Sequence, residues 1–188
     1  MELGLAGRVA IVTGASRGIG RQIATDLAAE GCDLVLCGRD EAALAVVAAE
    51  VRAAGRRVAL VIGDITEPPT IERVVQAATG ELSRLDILVN NAGGSEGKRL
   101  EAVTDEDWRR AMELNFFAAA NLSVACLPAM RAAGWGRIVN VASTYAREPD
   151  PRYAAYGAAK AALLNLTKSL SRGYAAEGVL TNCVIPGV

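Results

Sequence analysis

Six short apolar runs alternate with five longer amphipathic segments along the 188 residues, and that alternation leaves the chain few folds to choose from. The runs at 8–13, 33–37, 57–62, 85–89, 137–141 and 180–185 are continuously rich in Val, Ile and Leu. Such runs suit parallel strands covered on both faces rather than strands with one wet side. The segments between them, at 18–30, 40–54, 69–81, 104–133 and 153–177, carry helical spacing. The second opens on Asp40 and Glu41 and stops at Gly55, as helices do. Strand, helix, strand repeated in this way builds right-handed βαβ units. The expected fold is therefore α/β, a doubly wound parallel sheet with helices on both faces, of the Rossmann type. No repeat or linker interrupts it, so a single domain over 1–188 is expected.

The first strand runs into Thr13-Gly14-Ala15-Ser16-Arg17-Gly18-Ile19-Gly20 and then into a helix. In this context Gly14 permits a tight turn, Gly18 lets a pyrophosphate approach the backbone, and Gly20 allows close packing. The helix N-terminus offers free N–H groups and a positive dipole end to the phosphates. An acidic residue at the end of the second strand would bind the ribose 2′-hydroxyl of NAD. This chain has Gly38-Arg39 there, with Arg17 nearby in the turn. Two guanidinium groups suit a 2′-phosphate, so NADP(H) is preferred over NAD(H). Asp40 fits better as the cap of the following helix.

The chain contains no histidine. That excludes a Ser-His-Asp triad, an HExxH zinc site and a histidine base, and leaves Tyr, Lys or a carboxylate for proton transfer. Tyr156 and Lys160 are spaced i, i+4 and share one helix face, whereas Tyr153 has Gly157 at that position. A phenol ordinarily titrates near 10, and a neighbouring ammonium is expected to lower that value. Ser143 falls at the carboxyl end of the fifth strand, the edge where such sheets bind ligands, and its hydroxyl can meet a substrate carbonyl.

Other classes are excluded by composition. A net charge of −1 gives no basic footprint for nucleic acid or anionic lipid. The chain is 52% hydrophobic, but 36 of its residues are alanine, and no uncharged apolar stretch of about 18 residues stands out as a membrane span. The first residues lack the basic and apolar regions of a signal peptide. Cys32, Cys37, Cys126 and Cys183 form neither a CxxC pair nor a disulfide scaffold, so no metal is expected and a reduced, cytoplasmic setting is.

Taken in order, the glycine turn, Asn90-Asn91-Ala92-Gly93, Ser143 and Tyr156-x-x-x-Lys160 resemble the short-chain dehydrogenase/reductase family, with a flavour of its 3-oxoacyl reductase-like members. The resemblance runs through the chain to Pro186-Gly187. It implies that Tyr156 is the acid/base, that Lys160 lowers its pKa and holds the nicotinamide ribose, and that Ser143 orients the substrate. It implies that Asn115 completes a tetrad by anchoring a relay water. Asp64 and Ile65 would contact the adenine, Asn91, Ala92 and Gly93 would line the cofactor, and Pro186 and Gly187 would lie beside the carboxamide. The implied reaction moves a hydride between NADP(H) and a small-molecule carbonyl or secondary alcohol, in a homodimer or homotetramer.

Several points stay open on the sequence. The loops at 93–99 and 144–152 would flank the substrate, where Arg147 and Arg152 either greet an anion or are merely solvated. Trp108 and Trp135 read as packing or helix-end residues. A non-catalytic NADPH-binding regulator or a scaffold is the alternative function. The resemblance also implies a further helical substrate lobe and a last strand beyond Pro-Gly, which the chain is expected to lack.

Overall fold

The computed structural model describes residues 3–187, and every expected element is present within them. The strands are β1 (Val9–Thr13), β2 (Asp33–Gly38), β3 (Val58–Ile62), β4 (Ile87–Asn90), β5 (Gly136–Val141) and β6 (Val179–Val184). All pair in parallel in the order β3-β2-β1-β4-β5-β6. The chain reverses its direction of winding between β1 and β4, and a crevice opens at that switch point. The helices are α1 (Gly18–Ala29), α2 (Glu41–Ala53), α3 (Pro68–Gln76), α4 (Asp105–Met112), α5 (Ala118–Ala132) and α6 (Ala154–Tyr174).

Alternate residues of each strand feed two separate cores. Ala10, Val12, Leu34 and Leu36 pack with Ala24, Leu44 and Val47 under α1 and α2. Val9, Ile11, Val35 and Ile138 pack with Val74, Leu122, Met130 and Leu170 under α3, α5 and α6. This is why the central strands β1, β2 and β4 read as unbroken apolar runs: their side chains are covered whichever way they point, whereas Leu180 and Val184 on the edge strand β6 are exposed.

Local signals set the helix ends. Asp40 accepts a hydrogen bond from the Ala43 N–H at 3.0 Å and caps α2. Thr104 and Asp107 form a reciprocal capping box at the start of α4. Trp135 lies between strand and helix, with the guanidinium carbons of Arg8 and Arg137 at 3.8 and 4.3 Å from its ring centre.

Two features depart from expectation. The segment expected as one helix over 104–133 is continuous but carries a π-turn at Glu113–Phe117 between α4 and α5. Moreover, the run Asp105–Ala132 is long and apolar enough to cross a membrane by length and composition. Alanine supplies much of that apolarity, and the inner face (Leu122, Cys126, Met130) is buried in the core between the sheet and its neighbouring helices.

Candidate active site

A cavity of about 570 Å³ opens over the carboxyl-terminal edge of the sheet. Its walls include Gly14, Ser16, Arg17, Gly18, Ile19 and Gly20 from the glycine turn, Arg39 after β2, and Asp64 and Ile65 after β3. Asn91, Ala92 and Gly93 follow β4, Ser143 follows β5, Tyr156 and Lys160 rise from α6, and Pro186 and Gly187 close the far side. Residues spread across the whole sequence meet here because parallel strands bring all their carboxyl ends to one edge.

The glycine turn is held by contacts that only glycine allows. Gly14 has a φ of +64°, and a Cβ on Gly20 would lie 2.3 Å from the Gly14 carbonyl oxygen. A Cβ at Gly18 would meet nothing within 4 Å, so the backbone there faces open space. Thr13 locks the turn to the next loop. Its hydroxyl accepts hydrogen bonds from the Asn91 and Ala92 N–H groups, both at 3.0 Å. The Asn91 amide donates in return to the Thr13 carbonyl at 2.9 Å. This role of Thr13 is not visible in a glycine motif.

Arg17 and Arg39 stand at the rim, exposed. Arg39 lies 3.8 Å from the Asp64 carboxylate, which is itself pinned by Thr66 through its N–H at 3.0 Å and its hydroxyl at 2.9 Å. The pocket thus has a cationic rim and an acidic side chain that aims one of the two cations.

At the other end, Ser143 is buried, and its Oγ accepts from the Tyr145 N–H at 3.3 Å. Lys160 is 3% exposed and donates to the Val141 carbonyl at 2.7 Å. Its Nζ lies 5.7 Å from the Tyr156 ring centre. Burial pushes the Lys160 ammonium down to about 8. Burial also raises the Tyr156 phenol above its ordinary value, and the Ser143 hydroxyl only partly offsets this. The expectation of a phenol lowered by the ammonium is therefore reversed in the protein alone: desolvation is the largest influence on Tyr156.

Asn115 is not on the cavity wall. It sits in the π-turn, 1% exposed, and grips the backbone behind the wall. Its Oδ1 accepts from the Gly94 N–H and its Nδ2 donates to the Gly94 carbonyl, both at 3.0 Å. A side chain at Gly93 would fall 2.8 Å from Asn115 Oδ1 and 3.0 Å from Lys160 Nζ, so both polar groups converge on that point.

Tyr145 and Tyr153 also line the cavity and were not among the expected site residues. The signal was present, since three of the four tyrosines fall between 145 and 156. Arg152 is not on the cavity wall: it pairs with Asp150 at 2.8 Å and lies 6.0 Å from the Tyr153 ring centre, and Arg147 is exposed. No group of metal-ligating side chains occurs among the described residues.

Comparison with known proteins places this geometry. The family model described as short chain dehydrogenase matches residues 8–188. The 3-oxoacyl-[acyl-carrier-protein] reductase FabG of Escherichia coli is 38% identical over 181 residues, which is 96% of this chain and 73% of that protein. The crystal structure of L-sorbose reductase from Gluconobacter frateurii, complexed with NADPH and L-sorbose, superposes with a TM-score of 0.96 at 35% identity. It covers all of this chain and 72% of that one. NAD+-bound xylitol dehydrogenase superposes with a TM-score of 0.92 at 30% identity, over 97% of this chain and 71% of that one.

Proposed function

The chain belongs to the short-chain dehydrogenase family, and from that premise we propose that it is an NADP(H)-dependent reductase of a ketone or 3-oxoacyl compound, with Tyr156 as its acid/base. The observation that carries this reading is the meeting of Ser143, Tyr156 and Lys160, backed by Asn115, at one end of a cavity whose other end is a glycine cradle. One nucleotide-binding domain, residues 1–188, carries both ends.

The residues present fit a dinucleotide. The open backbone at Gly18 and the start of α1 would receive the pyrophosphate. Arg17 and Arg39 would receive a 2′-phosphate, Asp64 and Ile65 the adenine, and Pro186 and Gly187 the carboxamide side. Relatives differ here: the sorbose reductase is complexed with NADPH and the xylitol dehydrogenase with NAD+. The paired rim arginines favour the former for this chain.

The cofactor, when bound, supplies or accepts the hydride; the chain handles the oxygen and its proton. Ser143 accepts a hydrogen bond from the Tyr145 backbone and meets the Tyr156 side chain, so its hydroxyl is placed to share a substrate oxygen with Tyr156. Tyr156, raised above its ordinary value, keeps its proton at neutral pH and can hand it to the oxygen as reduction proceeds. Lys160, at about 8, is close enough to neutrality to hold or pass on a replacement proton. Asn115 fixes the Gly93–Gly94 backbone against which Lys160 rests.

Tyr156→Phe tests the mechanism. Turnover of carbonyl substrates with NADPH should fall by about 10³-fold or more, while NADPH binding, read by fluorescence, is retained. Near-normal turnover in that variant would overturn it. We place the protein in the cytoplasm as a homodimer or homotetramer. The exposed apolar Phe117 and Val124 on the π-turn and α5 support association, and sedimentation as a monomer would contradict it.

A further inference from the structure

The end of the cavity beyond Ser143 and Tyr156 is walled by aromatic rings. Tyr145 and Tyr153 stack with centres 4.9 Å apart and planes 12° from parallel. Tyr145 meets Tyr156 edge-on, 6.4 Å away at 81°. Two glycines make room for the pair. A Cβ on Gly97 would lie 3.1 Å from Cζ and Oη of Tyr153, and one on Gly157 would lie 2.9 Å from the Tyr145 carbonyl oxygen. The Tyr153 ring is thus backed by the loop after β4, and the Tyr145 backbone is packed against the first turn of α6.

The charge of the mouth points the same way. Residues 94–107 and 144–153 carry four basic and seven acidic side chains. Three of the four cations are neutralised: Lys98 by Asp107, Arg99 by Glu101 at 3.7 Å and Arg152 by Asp150 at 2.8 Å. The fourth, Arg147, is exposed beside Glu148 and lies off the cavity wall. The net negative loops at this end, unlike the cationic rim at the glycine turn, repel anions on approach. A substrate carried on a phosphate-bearing arm would meet no free cation on this wall.

We propose that Tyr145 and Tyr153 are specificity-determining residues, and that they select an uncharged, ring-bearing carbonyl compound whose flat face packs on the tyrosine pair while its oxygen reaches Ser143 and Tyr156. The proposal rests on the reading of the cavity as a carbonyl-reducing site. A rigid aromatic slab presents a large contact area with little side-chain freedom to lose, and favours planar partners in offset or edge-on arrangements. A flexible straight chain gains less there, because it must be ordered to use the same surface.

The test measures kcat/KM with NADPH on the intact protein for three substrates: acetophenone, 2-octanone of equal carbon number, and the anionic thioester 3-oxooctanoyl-CoA. The ring ketone should be favoured over both by roughly tenfold, the size of one good aromatic contact. In Tyr145→Leu and Tyr153→Leu the ring-to-chain ratio should collapse towards one, chiefly through a rise in KM for acetophenone. NADPH fluorescence reports whether each variant is folded. Gly97→Ala is the independent arm: it displaces the Tyr153 ring without removing it, and should lower the same ratio. A parent ratio near one, a ratio unmoved by all three substitutions, or a preference for the thioester would overturn the wall. Absence of turnover with every carbonyl would overturn the reductase reading beneath it. Turnover with an unaltered ratio overturns the wall alone.

Discussion

At the amino-terminal edge of the sheet, Asp86 is 1% exposed and accepts hydrogen bonds from Arg8 at 2.8 Å, from Arg84 at 2.6 and 2.7 Å and from the Val9 N–H at 2.9 Å. Asp33, also buried there, takes Arg56 and Arg57. At the carboxyl-terminal edge, Lys160 is as deeply buried but has no ion-pair partner among the described residues, and its one acceptor is a backbone carbonyl. The same strands supply both edges. Burial pushes the Asp86 carboxyl upward, yet its hydrogen bonds to Arg84, Val9 and Arg8 outweigh that and hold it below the usual carboxylate range. Nothing comparable is provided for Lys160, and burial wins. One edge spends its charges on holding the strands in place. The other keeps a charge unanswered, which costs stability and lowers the group to about 8.

The largest effect expected from breaking this contrast is at the closed edge. Asp86→Ala strands Arg8 and Arg84 at a buried strand start and should destabilise the fold by about 3 kcal/mol, seen as a lowered urea midpoint. If its NADPH affinity falls as steeply as its stability, the two edges are not independent. Lys160 gives a similar magnitude with the opposite meaning. Between about 8 and its ordinary value of 10.5 the unfolded chain holds a proton on Lys160 that the folded chain has released. The contribution of Lys160 to stability should therefore rise with pH across that window, by on the order of 3 kcal/mol, while below it both states are charged and the full cost of burial is present. Burial raises the thiols of Cys32, Cys37, Cys126 and Cys183 and so lowers stability above about 9; the Lys160 rise is therefore read as the difference between the parent and Lys160→Met from pH 7 to 10.5, and parallel curves would break the comparison. The smallest effect is at the rim. Arg39→Ala should lower kcat/KM for NADPH by roughly tenfold to a hundredfold and leave NADH unchanged, as expected for a charge-assisted contact. Equal losses with both cofactors would remove the 2′-phosphate from the account.

The open edge was more legible in the sequence than the closed one. A glycine turn after a strand, a serine at a strand end and a Tyr–Lys pair at helical spacing each announce themselves through local pattern. Asp86 does not, because nothing next to it in sequence says that Arg8 will arrive from 78 residues away. The buried ladder in which Asn90 donates to Ser123 and Asn140, and Asn140 to Thr167, was hidden for the same reason. Its members look like ordinary polar residues until four elements are packed together. Ionisation was legible only in part: the sequence shows which groups are near one another, but burial decides which way each moves. The Tyr145–Tyr153 stack was hidden because it forms between a loop and a helix start, where no regular spacing marks it.

The π-turn at Glu113–Phe117 gives the α4–α5 rod one more residue in that turn than a regular helix would hold. Asn115 reaches Gly94 from within that surplus. Conservative exchange along this helix would leave the reach intact, whereas deleting a single residue anywhere between Asp105 and Asn115 would let the rod wind regularly and swing the amide away. The placement of the amide is thus written in the number of residues as much as in their kinds. For a designer shortening or grafting this helix, arithmetic is the constraint to respect first.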